Sequence, residues 1–314
     1  EGELSLEMQL ENSGEIQGTR MEMVSLKSLS LINESTGNLT GSEGVFFKHL
    51  ANLLNRGRIM TSTRFEIESG DFKNEGTITS ENVSSQTVSS SIVIETGNNE
   101  GVIESSGTLQ LNVGKWFANE RQIQTRDVLK LIGTNSDAVF INKTNQSTLM
   151  GEKGIEFSVL GMKSHLGVQN ADSQAGIKST NSITFLQGVD LENRGTIQSG
   201  KTISLSQTSL TNGGEVVANK ILLSPVKTLI NTVTGKLKSG SEIVFEKLES
   251  FMNEGLIQQV SSVFLKGLKI FGSKGSIASE TGTVELDLNE DAVHEGILLG
   301  NKGVTVQGKR FENK

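Results

Sequence analysis

The residues able to do chemistry in this chain are few and scattered. Its seven Asp residues (Asp71, Asp127, Asp137, Asp172, Asp190, Asp287 and Asp291) never form an Asp-Asp pair. Glycoside hydrolysis needs two carboxyl groups held about 5–10 Å apart across the scissile bond, and a lyase needs acids that hold calcium beside a basic residue. The densest acidic group, Asp287 with Glu290 and Asp291, reads as a solvated corner. The histidines His49, His165 and His294 have no metal-ligand spacing. Serine is abundant, yet no Gly-x-Ser-x-Gly elbow occurs to activate one as a nucleophile. Cysteine is absent, which excludes disulfides and thiolate zinc sites. The expectation is a protein that is not an enzyme and takes no cofactor or metal.

Two residues suit binding instead. Trp116 precedes Phe117, and if Phe117 points inward, alternation points the indole outward, where the matching positions elsewhere are Asp71 and Asp190. An exposed Trp can anchor a glycan or a protein. His165 lies in the least regular stretch, about residues 135–185, where loops are expected, and loops carry function.

Composition bounds the partners. Net charge is −7 with acids and bases interspersed, which argues against a nucleic-acid surface. No run of about 18 apolar residues exists to cross a membrane as a helix, so no membrane insertion is expected. Aromatic residues make up 4% of the chain and Pro225 is its one proline, while Gly numbers 35. Leu, Ile and Val carry the apolar content, which suits stacked strands.

The elements that must position these residues come from an internal repeat. Asn-x-Gly-x-(Ile/Leu/Val) occurs at Asn12-Gly14, Asn55-Gly57, Asn74-Gly76, Asn99-Gly101, Asn193-Gly195, Asn212-Gly214 and Asn253-Gly255. Degenerate copies fill the gaps: Asn119-Arg121, Asn145-Ser147, Ser273-Gly275 and His294-Gly296, with a barely recognisable one near Ser173 to Ile177. Asn33-Gly37 and Asn231-Gly235 share a two-residue insertion. Copies lie mostly about 19 to 26 residues apart, one coil of a parallel β-helix. After each aliphatic residue comes a small one (Ser80, Ser105, Ser199), then an alternating apolar pair (Leu109/Leu111, Ile203/Leu205), then an apolar residue two before the next Asn (Phe72, Leu191). Each piece has period two, so each is a short strand with one face inward. The fold expected is all-β: a parallel β-solenoid of about 14 coils, roughly 20 residues and three short strands per coil. Gly is expected where a corner needs positive φ or close backbone approach, and Asn where local backbone or stacked Asn side chains must be bonded.

The chain reads as a single β-helix domain, residues 1–314, cut from a longer repeat protein: Leu4-x-Leu6 already belongs to a coil and Phe311-x-Asn313 opens another. Units such as Leu191-Glu-Asn193-Arg-Gly195-Thr-Ile197-Gln-Ser199 resemble the repeats of filamentous haemagglutinin-type proteins, bacterial exoproteins of the two-partner secretion route that include adhesins and the stick-like effectors of contact-dependent growth inhibition. That resemblance implies a right-handed β-helix and a secreted or cell-surface setting. It also implies an outer-membrane transporter partner during secretion, and a protein or glycan partner on another cell. The function it points to is a structural, adhesive shaft. Two alternatives stand beside it, the stalk of a contact-dependent toxin and a β-helical polysaccharide lyase or glycosidase.

Overall fold

The computed structural model describes residues 9–24, 29–81, 88–161, 166–206, 209–224, 226–246 and 248–314. Among them every regular element is a strand, and the strands form a parallel β-solenoid of about 14 turns with about 21 residues per turn. The all-β solenoid expected from the repeat is the one observed. The chain divides into two compact units, Glu1–Leu166 and Gly167–Lys314.

In the first unit the strands ending on the repeat asparagine stack in register. Leu10, Leu31, Leu53, Phe72, Gly97, Phe117 and Phe140 share one column, each two residues before Asn12, Asn33, Asn55, Asn74, Asn99, Asn119 and Asn142. The next strand of each coil builds a column of Leu39, Ile59, Ile78, Ile103, Ile123 and Leu149. None of these is more than 1% exposed. Burying each such side chain contributes about 1.5–3 kcal/mol, so the aliphatic column is one of the stabilising axes of the coil stack. The third strand adds Phe65/Ile67, Leu109/Leu111, Leu129/Leu131 and Ile155/Phe157, all buried.

The second unit repeats the scheme. Leu191, Leu210, Leu229, Phe251 and Phe271 form the column before the asparagines. Ile177, Ile197, Val216, Leu237, Ile257, Ile277 and Leu298 form the aliphatic one. Its third-strand sheet is interrupted: the strands at 263–268, 283–288 and 303–307 make a separate three-stranded sheet. Gln259 stands at the corner where other coils have small residues, such as Ser239, Ser279 and Ala218. Its side-chain carbonyl accepts the Ile243 N–H at 2.6 Å, inside the coil.

Strands that the repeat separates often run together. Glu15–Val24, Asn38–Asn55 and Lys236–Phe245 each continue through a corner. The corner is a bulge where register shifts, between Gly18 and Arg20 or between Ala218 and Lys220. A bulge bends the strand while pairing continues on either side.

Candidate functional site

The most ordered polar feature is the asparagine column. In the first unit each side-chain Nδ2 donates to the Oδ1 of the next coil: Asn12 to Asn33 (2.8 Å), Asn33 to Asn55 (2.8 Å), Asn55 to Asn74 (2.7 Å), Asn74 to Asn99 (2.8 Å), Asn99 to Asn119 (2.8 Å) and Asn119 to Asn142 (3.0 Å). In the second unit the chain runs Asn170, Asn193, Asn212, Asn231 and Asn253 at 2.8–2.9 Å. It weakens at Ser273, whose Oγ accepts from Asn253 at 3.4 Å. Burial removes these amides from water, and an unpaired buried amide costs about 1–3 kcal/mol; the stacked arrangement lets each one satisfy the next.

The ladder corrects two sequence assignments. Asn145 is exposed on a turn, and Asn142 takes the buried rung. The copy near Ser173 has its rung at Asn170. In both coils the turn after the rung is lengthened, so the Asn-x-Gly spacing is lost although the rung is kept.

The ladder glycines serve close approach alone. A Cβ on Gly57, Gly76 or Gly101 would lie 2.0–2.1 Å from the carbonyl oxygen of the glycine one coil below, and on Gly195, Gly214 or Gly255 within 2.3 Å of the equivalent oxygen. Of the two roles expected for a corner glycine, positive φ or close backbone approach, none of these has the first. Gly14 differs, with nothing within 4 Å of such an atom. Where Arg121 replaces the glycine, the bond from Gln122 N to Gly101 O is 3.3 Å, against 2.9 Å for Val102 N to Gly76 O.

The residue after each rung forms a second column, outside the core. In the first unit it is Ser13 and then Glu34, Arg56, Glu75, Glu100, Glu120 and Lys143, the last six each with its N–H on the rung carbonyl below. These charges interlock. Arg56 meets Glu34 (3.1 Å) and Glu75 (3.2 Å), Lys73 meets Glu75 (2.6 Å) and Glu100 (3.3 Å), and Lys143 meets Glu120 (2.7 Å). The bond to Lys73 is the main reason the Glu75 carboxyl sits below its ordinary pKa, and Glu34 is the main reason Arg56 sits above its own. Exposed pairs of this kind add little stability singly; here they fill and cover the corner.

In the second unit the same positions begin with Ala171, Arg194, Gly213 and Thr232. Three of the four are small, and a groove of about 520 Å³ opens there across four coils. Asp172, Glu192, Arg194, Thr211, Thr232 and Thr234 line it. Both Arg194 contacts, from Nε (3.0 Å) and Nη2 (2.7 Å), fall on Glu192 Oε1. Asp172 Oδ1 accepts the Gln174 N–H at 2.8 Å. The sequence carried a signal for this groove in the size of the residue after each rung, which attention to the Asn and Gly positions passes over.

Trp116 is 44% exposed and pairs in register with Thr96 and Val139. Thr96 donates to Asp71 Oδ1 (3.0 Å) in the same column. His165 lies outside the described residues. His49 is exposed, with φ of 57° at a bulge, and its Nδ1 is 2.9 Å from Glu68 Oε1. Within the acidic corner near the C-terminal end, Glu290 pairs with Lys309 at 2.8 Å. Among the described residues no group of three metal-binding side chains occurs.

No protein-family model and no solved structure matches this chain. The sequence is similar to the tRNA nuclease CdiA of Yersinia mollaretii, at 24% identity over 308 residues. The alignment takes in 97% of this chain, which spans 9% of the length of that protein. The likeness therefore extends along nearly all of the coils rather than over one local motif.

Proposed function

We propose that this chain is a structural and adhesive shaft of a bacterial secreted or cell-surface exoprotein of the filamentous haemagglutinin type. In this reading it leaves the cell through an outer-membrane transporter partner and meets a protein or glycan on another cell. The observation that carries the proposal is the commitment of the buried polar residues to their neighbours: rungs such as Asn55, Asn74 and Asn99 are fully buried and bonded coil to coil at 2.7–2.8 Å. Such residues hold coils together and leave the outer corners to vary. The similarity to CdiA along nearly the whole chain supports the same setting.

Beads coated with the chain should adhere to bacterial or host cells, and the chain should not depolymerise polysaccharides of those surfaces. Release of reducing or unsaturated ends from such polysaccharides would overturn the non-enzymatic reading.

A second reading, the stalk of a contact-dependent toxin, is favoured by the name of the relative, a tRNA nuclease. It predicts that the full-length protein stops the growth of neighbouring cells and that deleting these coils abolishes delivery. Mere adhesion, with no growth effect, favours the shaft.

A further inference from the structure

We infer that the groove at Ala171, Arg194, Gly213 and Thr232 is a binding site for a neutral, hydroxyl-rich sugar. The inference deepens the adhesive reading and rests on it for the source of the ligand. Three observations carry it.

The first is the contrast in the corner column. Where Glu34, Arg56, Glu75, Glu100, Glu120 and Lys143 close the corner with ion pairs, four successive coils of the other unit carry Ala171, Arg194, Gly213 and Thr232 before the charged residues Glu254, Lys274 and Glu295 return, and a groove of about 520 Å³ opens at those four coils. That volume lies within the range of about 300–1,000 Å³ typical of small-molecule sites.

The second is Gly213. The glycine beside it, Gly214, is required, because a Cβ there would sit 2.1 Å from Gly195 O. At Gly213 the nearest atom would be Thr232 Oγ1 at 3.2 Å, and φ lies outside the left-handed region. Rotation of one hydroxyl relieves that contact, so neither backbone nor packing demands a glycine. Its consequence is an open groove.

The third is the chemistry of the lining. With Arg194 on Glu192 Oε1 and Gln174 on Asp172 Oδ1, Glu192 Oε2 and Asp172 Oδ2 are acceptors suited to vicinal hydroxyl donors. Arg194 has further N–H donors, and Thr211 and Thr232 offer hydroxyls that donate or accept. Two carboxylates against one guanidinium disfavour sulfated or uronic sugars.

Saturation-transfer NMR of the full chain with lactose, cellobiose and diacetylchitobiose tests the inference. Transfer to at least one disaccharide is expected. It should be lost in Gly213→Arg, which refills the groove, and weakened about fivefold in Thr211→Val, as for one ordinary hydrogen bond. Melting midpoints of both variants should match the parent; if Gly213→Arg is unstable, Thr211→Val alone decides. No transfer to any of the three, or transfer unchanged in a folded variant, overturns the site. Adhesion of coated beads without disaccharide binding would sink this inference and leave the shaft reading standing.

Discussion

Phe72 and Phe117 belong to coils two turns apart, yet their rings lie 6.2 Å centroid to centroid at 40°. The residue between them in the column is Gly97, which pairs with Phe72 on one side and Phe117 on the other. A glycine within a strand normally weakens it; here its missing side chain is the space into which two phenylalanines lean, and Phe117 continues onto Phe140 at 5.8 Å.

Gly97→Ala should therefore destabilise. The added Cβ would meet Phe72 O at 2.9 Å and Phe117 Cδ2 at 3.1 Å. Overpacking of this kind costs about 1–3 kcal/mol. Denaturant midpoints check it, and a midpoint equal to or above the parent's would show that the rings retreat freely.

Asn74→Ala should cost more than Arg56→Ala. Asn74 is fully buried, accepts from Asn55 at 2.7 Å and donates to Asn99 at 2.8 Å. Its loss orphans a donor and an acceptor, at about 1–3 kcal/mol each. Arg56 is exposed and its partners revert to water. Equal losses in thermal unfolding would mean that the ladder is incidental.

Ile197→Asp should unfold the surrounding coils. Ile197 is fully buried and stacks between Ile177 and Val216. An unpaired buried charge is costly enough either to neutralise or to open the fold, and coils stabilise one another as nearest neighbours. Hydrogen exchange should show lost protection centred on this coil. Trp116→Ala, by contrast, should leave protection unchanged and weaken adhesion.

Stability should fall on mild acidification, through His294. Its ring is 1% exposed, and it sits between Phe271 (6.5 Å) and Phe311 (6.3 Å), with neither nitrogen in hydrogen-bond geometry among the described residues. Burial holds its pKa below the ordinary 6.5, and the Gly296 backbone opposes this more weakly. The charged groups nearby in sequence and register are already paired: Lys274 with Glu295 at 3.4 Å and Lys314 with Glu312 at 3.7 Å. The unfolded chain takes up the proton more readily, so stability is full above about pH 6.5 and declines below it until the folded ring also protonates. Melting curves from neutral pH downward should show this decline, and His294→Asn should flatten it. A slope unchanged in that variant would assign it to other groups.

Much of the fold was legible because its determinants are local and repeated. Alternation in Leu109/Leu111 or Ile203/Leu205 states which side chains face inward, and Asn-x-Gly at Asn74 or Asn212 marks a corner whatever surrounds it. The outward direction of Trp116 follows from the same alternation, since Phe117 beside it is buried. A repeat also stacks on itself, so finding one coil predicts its neighbours. What the tertiary structure decided depends on the coil above or below. Asn142 rather than Asn145 holds the rung because only the stacked amide of Asn119 selects between them. Which ladder glycines are required is decided by a carbonyl one coil away, present at Gly76 and absent at Gly14. The groove at Gly213 exists because three of four residues about 20 apart in sequence, each unremarkable alone, are small in adjacent coils. Periodicity along the chain is written in one dimension, but the contents of a corner are set by contact across it.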